Sequence, residues 1–328
     1  MKSARIRVLI AVTIAIAAIA GFISIHGSGA SNKKDVTLIT HDSFVMSPAL
    51  VKEFDKSTGY TLHLLTAGDA GSMTNKLILT RNAPIADAVF GIDNTLSGEA
   101  SANHLIAGSL TPTDFGDVCF NYDKLWFTNH HLTPPASVAD LTKPAYKSLT
   151  VVENPATSST GLSFLAVTVA KFGTPGWSNY WKQLKTNGVK VDDGWEAAYY
   201  TDFSGSSGKG AYPIVLSYAT SPADEVRSNG QSQTASILDG CFKQTEYAGV
   251  LQGAKNPQGA RAVINFLLSH TFQNTFPSTM YMYPITNDGA VPHDWITYAP
   301  NPTVTYGDNL DFNHDRAQWL ATWAAIFG

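Results

Sequence analysis

Acidic and amide side chains follow three short apolar segments near the N-terminus. The segments 36–39, 61–65 and 86–92 predict strands, and the polar residues at or after their ends are Asp42, Asp69, Asp93 and Asn94. Parallel strands end at the same edge of a sheet, so these side chains are expected to meet there. Carboxylates at such an edge could bind a metal ion, act as acid and base, or face a cation. The alternative is that each is a solvated turn or cap residue.

A second group of candidate residues lies between Gly194 and Pro222. Trp195 and Tyr199 are four residues apart, so on a helix they share one face, which could contact a planar ligand or pack in the core. The segment 215–222, VLSYATSP, predicts a strand that ends in small hydroxyl residues, with Tyr218 and Ser221 at this end. Pockets in α/β sheets usually open at such strand ends.

A third group lies at the predicted start of a helix. The segment 153–161, ENPATSSTG, precedes an apolar run at 162–172. Free N–H groups at a helix start can hold an anion or a polar ligand group, and Ser158, Ser159 and Gly161 would contribute to such a site. Capping of the helix by Ser159 or Thr160 is the alternative.

The elements that position these residues alternate between strands and helices. A helix begins at Ser47 and Pro48 and ends at Gly59, and a second covers 73–81, which predicts a parallel sheet covered by helices. The fold class is therefore α/β. We expect a first lobe at 31–117, a second lobe at 118–243, a return to the first lobe at 244–290 along a strand at 242–251, and a C-terminal segment at 291–328 whose amphipathic helix packs on the lobes.

Composition and charge limit the classes of function. The chain has 328 residues, of which 44% are hydrophobic and 15% charged, so it can bury a sizeable core. Residues 1–30 contain Lys2, Arg5 and Arg7 and no acid, which leaves the remainder with a net charge of -7. This balance argues against a nucleic-acid partner and favours a cationic ligand.

The N-terminus predicts export. A basic start, an apolar run at 8–25 and small residues up to Ala30 indicate a signal peptide over residues 1–30, with an uncleaved membrane anchor as the alternative. In an oxidising compartment, Cys119 and Cys241 favour one disulfide, and two free buried thiols are the alternative.

Six motifs, taken in order, resemble the periplasmic thiamine-binding proteins of ABC importers. They are THDSF at 40–44, VFGIDN at 89–94, NPATSSTG at 154–161, GWEAAY at 194–199, VLSYATSP at 215–222 and YMYP at 281–284. The resemblance implies a bilobed, type II periplasmic-binding-protein-like fold with two α/β lobes joined by crossing hinge strands. It implies a monomer without cofactor in the periplasm or on the outer face of the cytoplasmic membrane. Its ligand would be thiamine, thiamine monophosphate or thiamine pyrophosphate, delivered to an ABC permease.

The resemblance, together with the chemistry of thiamine, suggests roles for individual residues. Aromatic residues would stack on the ligand (Trp195, Tyr218 and Tyr281), acids would face its cation or amine (Asp69 and Asp93), and small residues would hold its tail (Ser158, Ser159 and Gly161). The family pattern is broken at His41, which replaces a tyrosine, at Asp224, which replaces an aromatic residue, and at Tyr281, which replaces a tryptophan. The full set of candidate ligand-binding residues is His41, Asp42, Asp69, Asp93, Asn94, Ser158, Ser159, Gly161, Trp195, Tyr199, Tyr218, Ser221 and Tyr281.

Two other functions are weighed against thiamine binding. A ferric-iron or metal-binding importer subunit of the same fold would use Tyr199 and Tyr200 together with His41 and a carboxylate. Phenolate and carboxylate oxygens suit a hard cation. A secreted enzyme acting on thiamine phosphates is disfavoured, because the sequence has neither a Gly-x-Ser-x-Gly elbow nor a His-Glu-x-x-His pair. We therefore expect a binding protein and not an enzyme.

Overall fold

A computed structural model describes residues 34–206, 209–286 and 291–328; the predicted signal peptide at 1–30 lies outside the described residues. The strands are β1 (Asp35–Thr40), β2 (Thr61–Thr66), β3 (Ala88–Asp93), β4 (Thr111–Asp123), β5 (Thr150–Glu153), β6 (Lys190–Asp192), β7 (Ile214–Tyr218), β8 (Thr234–Val250) and β9 (Tyr283–Pro284). The helices are α1 (Pro48–Thr58), α2 (Ala70–Thr80), α3 (Ser97–Ala102), α4 (Lys124–Asn129), α5 (Ser159–Thr186), α6 (Trp195–Ala197), α7 (Ser221–Asp224), α8 (Pro257–Leu267), α9 (His270–Gln273), α10 (Phe276–Thr279), α11 (Asp294–Tyr298) and α12 (Phe312–Phe327). A π-helical turn, Ala198–Asp202, continues α6, and 3₁₀ turns lie at Val138–Thr142 and Pro144–Tyr146.

The strands form one continuous sheet in the order β2-β1-β3-β8-β4-β7-β5-β6, and β9 pairs with β4. β1 is parallel to β2 and β3, as the sequence predicts, and β5 is parallel to β6 and β7. We call the β2-β1-β3 side the first half and the β7-β5-β6 side the second half. The long antiparallel strands β4 and β8 lie between the halves, because β8 pairs with β3 while β4 pairs with β7.

Apolar side chains are buried in three main clusters. The largest reaches both halves and includes Phe120, Phe164 and Trp181. A second packs α1 and α8 on the first half, and a third fills the second half with Trp195, Tyr199 and Phe203 among others. Burial of large side chains is the main stabilising term in such a fold.

Capping residues decide where the helices begin. The Ser47 side chain accepts the N–H of Leu50, and Gly59 ends α1 with a positive φ of 75°, both as predicted. α2 begins at Ala70 and not at residue 73, because the Asp69 side chain caps it. Ser158 caps α5, which the non-helical Gly173 and Thr174 divide into two helical segments, the first of which contains the predicted apolar run at 162–172.

β8 extends well before the predicted segment 242–251 and forms an irregular pair with β4. Phe120 pairs with Ile237 whereas Val118 pairs with Phe242, so the residues between Ile237 and Phe242 oppose Cys119 in a large bulge. Cys119 and Cys241 are joined there by a disulfide, which confirms the predicted pairing. The covalent bond therefore lies where the two crossing strands lose their regular register.

The C-terminal helix α12 packs against both halves. Trp323 meets Trp181 of α5 edge to face with 5.9 Å between ring centroids, and Arg316 forms an ion pair of 3.0 Å with Glu99 of α3. A helix lies at the predicted C-terminal position with Trp319 and Trp323 buried, and α12 starts at Phe312 because Asp311 caps it. Within the described residues, no helix has both the length and the apolar character that crossing a bilayer requires.

Candidate ligand-binding cleft

Two adjoining chambers open where the ends of β1 and β7 approach the middle of β8. The first, which we call the aromatic chamber, has about 440 Å³ of empty space, part of it open to solvent, and is lined by His41, Ser43, Val45, Trp195, Glu196, Tyr200, Tyr218, Glu246, Thr279, Met280, Tyr281 and Met282. The second, the polar chamber, has about 240 Å³ and is lined by His41, Ser43, Asp69, Ser159, Thr160, Trp195, Tyr218 and Glu246. Five residues are common to both, so the chambers form one cleft of the size that small ligands occupy.

Asp69 connects the first half to the second half at the base of the polar chamber. Its Oδ1 accepts the N–H of Ala70 at 2.6 Å and of Ser159 at 3.2 Å, and its Oδ2 accepts the N–H of Trp195 at 3.0 Å. These donors belong to the starts of α2, α5 and α6, whose dipoles all favour a negative charge. Burial raises the pKa of Asp69, and the hydrogen bond from Trp195 opposes that rise. Asp69 is thus a buried acid held by three helix starts.

The hydroxyl groups at the start of α5 are bonded to one another and to an acid. The hydroxyls of Ser158 and Thr160 lie 2.9 Å apart, and the Thr160 hydroxyl donates to Oε2 of Glu153 at 2.8 Å. Burial raises the pKa of Glu153 well above its usual range. Gly161 allows α5 to approach β5, because a Cβ there would lie 2.4 Å from the Glu153 carbonyl oxygen.

A polar chain made of His41, Glu246 and Asp114 lies under both chambers. The His41 ring places Nδ1 3.1 Å from the Ser43 hydroxyl and Nε2 3.2 Å from Oε1 of Glu246. The second contact is close enough for an ion pair but lacks the geometry of a hydrogen bond, so Nε2 has no hydrogen-bond partner. Burial lowers the pKa of His41, which favours the neutral ring.

Asp114 and Glu246 are directly opposite each other in the pairing of β4 with β8, and each carboxyl shifts the pKa of the other. Burial raises the pKa of Asp114 well above its usual range, and the Glu246 charge raises it further. Burial also raises the pKa of Glu246, to about 7. Two adjacent carboxyls do not both ionise readily, so Asp114 keeps its proton and Glu246 is the group that titrates near neutral pH.

Trp195 is the central aromatic residue of the cleft. Its indole N–H donates to the Ser217 hydroxyl at 2.9 Å, and the Ser217 hydroxyl lies 2.9 Å from that of Ser221. Tyr199 stacks on Trp195 with 5.0 Å between ring centroids. The predicted shared face of Trp195 and Tyr199 therefore exists, but it is used for packing, which is the core alternative raised from the sequence.

Tyr200 and Tyr281 complete the aromatic wall. Burial raises the pKa of the Tyr281 hydroxyl, and the neighbouring Tyr200 and Asp224 side chains raise it further. Tyr281 has a positive φ of 56°, and its carbonyl oxygen accepts the Thr220 hydroxyl. Asp224, which stands where the family pattern has an aromatic residue, is thus a neighbour of Tyr281.

Tyr218 lines both chambers, and two hydrogen bonds in series connect its hydroxyl to β3. Its hydroxyl donates to Oε1 of Gln244 at 2.7 Å, and the Gln244 amide donates to Oδ2 of Asp93 at 2.7 Å. Asp93 is fully buried and also accepts from the hydroxyl and N–H of Thr95 and the N–H of Leu96. Asp93 therefore meets the cleft through Gln244 and Tyr218, not directly.

The structure brings six of the thirteen candidate residues to the chamber walls, namely His41, Asp69, Ser159, Trp195, Tyr218 and Tyr281. The others lie outside the walls. Asp42 is exposed beside the chain reversal after β1, Asn94 bonds to the backbone of β8, and Tyr199 donates to Glu225 at 3.1 Å. Ser158, Gly161, Ser221 and Asp93 support wall residues from behind, through the contacts given above.

Six wall residues with polar groups are absent from the thirteen ligand-binding candidates: Ser43, Thr160, Glu196, Tyr200, Glu246 and Thr279. Two of them, Glu196 and Tyr200, are adjacent in sequence to the predicted Trp195 and Tyr199, so the position of this segment could have indicated them. Glu246 had no such signal, because it lies inside a strand and reaches the cleft through the pairing of β8 with β3 and β4. Of the described residues that line the chambers, none is a lysine or an arginine.

The arrangement does not favour the metal alternative. The hydroxyl of Tyr199 donates to Glu225, and the rings of Tyr199 and Tyr200 are perpendicular, so the two hydroxyls do not converge on one point. In the part of the chain that the structure describes, no group of three or more His, Cys, Asp and Glu is placed to hold a metal ion.

The fold and the cleft between its halves are those of a solute-binding protein. Residues 89–300 match the family described as "Bacterial extracellular solute-binding protein", and the chain belongs to this family.

Similar proteins point to a particular branch of that class. The chain is 29% identical to the thiamine-binding periplasmic protein of Salmonella typhimurium, over 89% of this chain and 93% of the relative. A solved structure of a periplasmic thiamin binding protein is 26% identical, covers 90% of this chain and 96% of its own, and superposes with a TM-score of 0.79. Iron-bound HitA from Pseudomonas aeruginosa, at 16% identity over 89% of this chain and 99% of its own, with a TM-score of 0.69, shares the fold alone.

Proposed function

We propose that this protein binds thiamine in the cleft and delivers it to an ABC permease, from the periplasm or the outer face of the cytoplasmic membrane. The observation that carries the proposal is the joint wall of aromatic rings and carboxyls, with neither lysine nor arginine among its described residues. Relatives and a solved structure that are named for thiamine binding support it along nearly the whole mature chain.

The chemistry of thiamine matches this wall. Its aminopyrimidine is planar and its thiazolium is a permanent cation, so it calls for stacking faces and a nearby carboxylate. Trp195, Tyr200 and Tyr218 offer rings, and Tyr281 closes the aromatic chamber beside them. Glu246 offers a carboxyl that ionises near neutral pH beside the neutral His41 ring. We assign Glu246 and His41 to the polar edge of the ligand, and the aromatic residues to its faces.

Asp93, Ser158 and Gly161 act indirectly in this proposal. Asp93 positions Tyr218 through Gln244, and Ser158 and Gly161 fix the start of α5 on which Ser159 lies. Membership of a solute-binding family supports a binding role and not catalysis. A monomer would be sufficient, because all the wall residues come from one chain.

The test is a calorimetric titration of residues 31–328 with thiamine, after unfolding and refolding to remove any bound ligand. We expect a dissociation constant below about 1 μM and a negative heat-capacity change from burial of the rings. Thiamine should also quench the fluorescence of Trp195, with Trp195→Phe as the control that removes that signal. A titration without heat, together with a coloured ferric complex, would replace the proposal with iron binding.

A further inference from the structure

We infer that the C-terminal helix α12 is a strap between the two halves of the sheet, and that its ion pair with α3 holds the halves in the arrangement that binds thiamine. The pair is formed by Arg316 of α12 and Glu99 of α3, at 3.0 Å. Neither residue lines the chambers. The inference rests on the proposed function, but it concerns the conformation of the protein and not a contact with the ligand.

α12 is fixed to the second half by aromatic side chains. Trp323 meets Trp181 of α5 edge to face with 5.9 Å between ring centroids, and Phe327 meets the same ring edge to face with 5.8 Å. Lys185 of α5 donates to the carbonyl oxygen of Ile326 in the last turn of α12. Trp181 is fully buried, and aromatic pairs of this kind contribute more than the area they bury. The helix therefore moves with the second half.

The same helix reaches the first half through polar side chains. Nη1 of Arg316 donates to Oε2 of Glu99, and the side-chain amide of Asn103 donates to Oε1 of the same carboxylate at 3.0 Å. Next to this pair, Asn313 of α12 covers Gly98 of α3, where a Cβ would lie 1.4 Å from the Asn313 side-chain oxygen. A side chain at position 98 would therefore push α12 away from the first half.

The ion pair is costly to break once it has formed. The Arg316 side chain is 11% exposed, and its Nε is buried without a hydrogen-bond partner among the described residues. Burial lowers the pKa of Arg316, whereas the charge of Glu99 opposes that effect. A buried charge that loses its partner is left uncompensated, and this destabilises a protein more than the loss of an exposed pair does. The contact between α12 and α3 thus resists separation of the two helices.

The two halves are closed on each other in this structure. Backbone groups meet across the cleft, since the N–H of Ser72 in α2 donates to the carbonyl oxygen of Thr157, in the second half, at 2.8 Å. Gly71 permits this approach, because a Cβ there would lie 2.6 Å from the Thr157 carbonyl carbon. Binding proteins with two lobes open and close by rotation about a hinge. Opening moves α3 with the first half and α12 with the second, so it pulls Glu99 away from Arg316.

The strap is therefore expected to raise the affinity without touching the ligand. If thiamine binds only the closed arrangement, its apparent dissociation constant rises when that arrangement is less populated. The experiment is calorimetric titration of residues 31–328 with thiamine in Arg316→Met and in Glu99→Gln. Each variant should bind about threefold more weakly, as expected for the loss of one partly shielded ion pair. Small-angle X-ray scattering without ligand should give a larger radius of gyration than that of the native protein, and saturating thiamine should restore the native value.

Two further variants separate this role from a general loss of stability. The reciprocal variant, Glu99→Arg with Arg316→Glu, restores an ion pair of opposite orientation and should recover most of the affinity. Lys171→Met is the matched control, because it removes an ion pair of 2.6 Å with Asp239 that joins α5 to β8 and does not reach the first half. This control should leave both the affinity and the radius of gyration unchanged. Glu99→Gln keeps the size of the side chain, so the test stays decisive if Arg316→Met fails to fold.

The outcomes distinguish this inference from the proposed function. Native affinity together with a native radius of gyration in Glu99→Gln would overturn the inference and leave the proposed function intact. An equal loss of affinity in Lys171→Met, or a folded reciprocal variant that binds no better than the single variants, would also overturn it. A native protein that binds no thiamine would overturn the proposed function, and with it the inference.

Discussion

The two halves of the sheet supply different chemistry to the cleft. The first half and the strand β8 beside it contribute polar and ionisable groups, with His41, Asp69 and Glu246 on the walls. The second half contributes rings, with Trp195, Tyr200 and Tyr218. A planar cation needs both kinds of contact, so neither half alone offers a complete site. Specificity therefore depends on how the crossing strands hold the charged side against the aromatic side.

Removal of the central ring tests the contribution of the second half, and it should have the largest effect on thiamine affinity. Trp195→Ala removes the stacking face and the hydrogen bond to Ser217, and we expect thiamine to bind about 30-fold more weakly, since loss of one stacked ring costs roughly 1–3 kcal/mol. Calorimetric titration measures the change. Trp195→Phe, which keeps a ring, should retain most of the affinity, and an alanine variant with the affinity of the native protein would exclude Trp195 from the site.

Neutralisation of Glu246 tests the contribution of the charged side, and its effect on thiamine affinity should be smaller and should depend on pH. Because the pKa of Glu246 is raised to about 7, its carboxyl ionises between pH 6 and pH 8, and thiamine should bind about tenfold more tightly at pH 8 than at pH 6. In Glu246→Gln this dependence should largely disappear. Titrations of both proteins at pH 6 and pH 8 measure this dependence. If the dependence persists in the variant, another group is responsible for it.

The same substitution makes a prediction about folding. In the folded protein Glu246 binds its proton more tightly than in the unfolded chain, so its contribution to stability is present below about pH 4.5 and is lost as the pH rises through about 7. Glu246→Gln should therefore gain stability relative to the native protein at pH 8 compared with pH 5. Urea unfolding at the two pH values measures this difference, and a loss at pH 8 would contradict it.

The smallest expected effect concerns a polar group at the edge of the aromatic wall. Tyr281→Phe keeps the ring but removes the hydroxyl that lies beside Tyr200 and Asp224. Thiamine should bind about threefold more weakly, because the net contribution of one polar contact is roughly 1 kcal/mol. Asp224→Asn, which keeps a polar group beside that hydroxyl, should have less effect in the same titration. A loss as large as that of Trp195→Ala would show that the hydroxyl contacts the ligand itself.

Local signals in the sequence were sufficient for much of the fold. Ser47, Pro48 and Gly59 mark the ends of α1 through capping chemistry, and they do so in the structure. The alternation of strands and helices predicted the parallel pairing of the first three strands, and the signal peptide together with two cysteines predicted the disulfide. Asp93 also carried a local signal, but for a cap and not for the predicted contact with the ligand. Its carboxylate caps the turn formed by Thr95 and Leu96, which is a common use of aspartate after a strand.

The details of the cleft depend on features that sequence spacing does not show. The π-helical turn after α6 bonds the N–H of Phe203 to the carbonyl oxygen of Ala198, so Tyr200 faces the chamber while Tyr199 is buried. Glu246 meets Asp93 and Asp114 through strand pairing between segments that are more than a hundred residues apart. Such register is set by the whole sheet, and no local pattern in β8 indicates it.

The disulfide has a consequence for how the chain responds to cleavage. Cys119 and Cys241 are separated by 122 positions, and the polypeptide between them includes Trp195, Tyr200 and Tyr218. A single protease cut anywhere in that span leaves the two pieces covalently attached, so the nicked protein still migrates as one chain until a reductant is added. A protease outside the cytoplasm can thus cut the segment that carries the aromatic wall, and the disulfide still holds that segment to the rest of the protein.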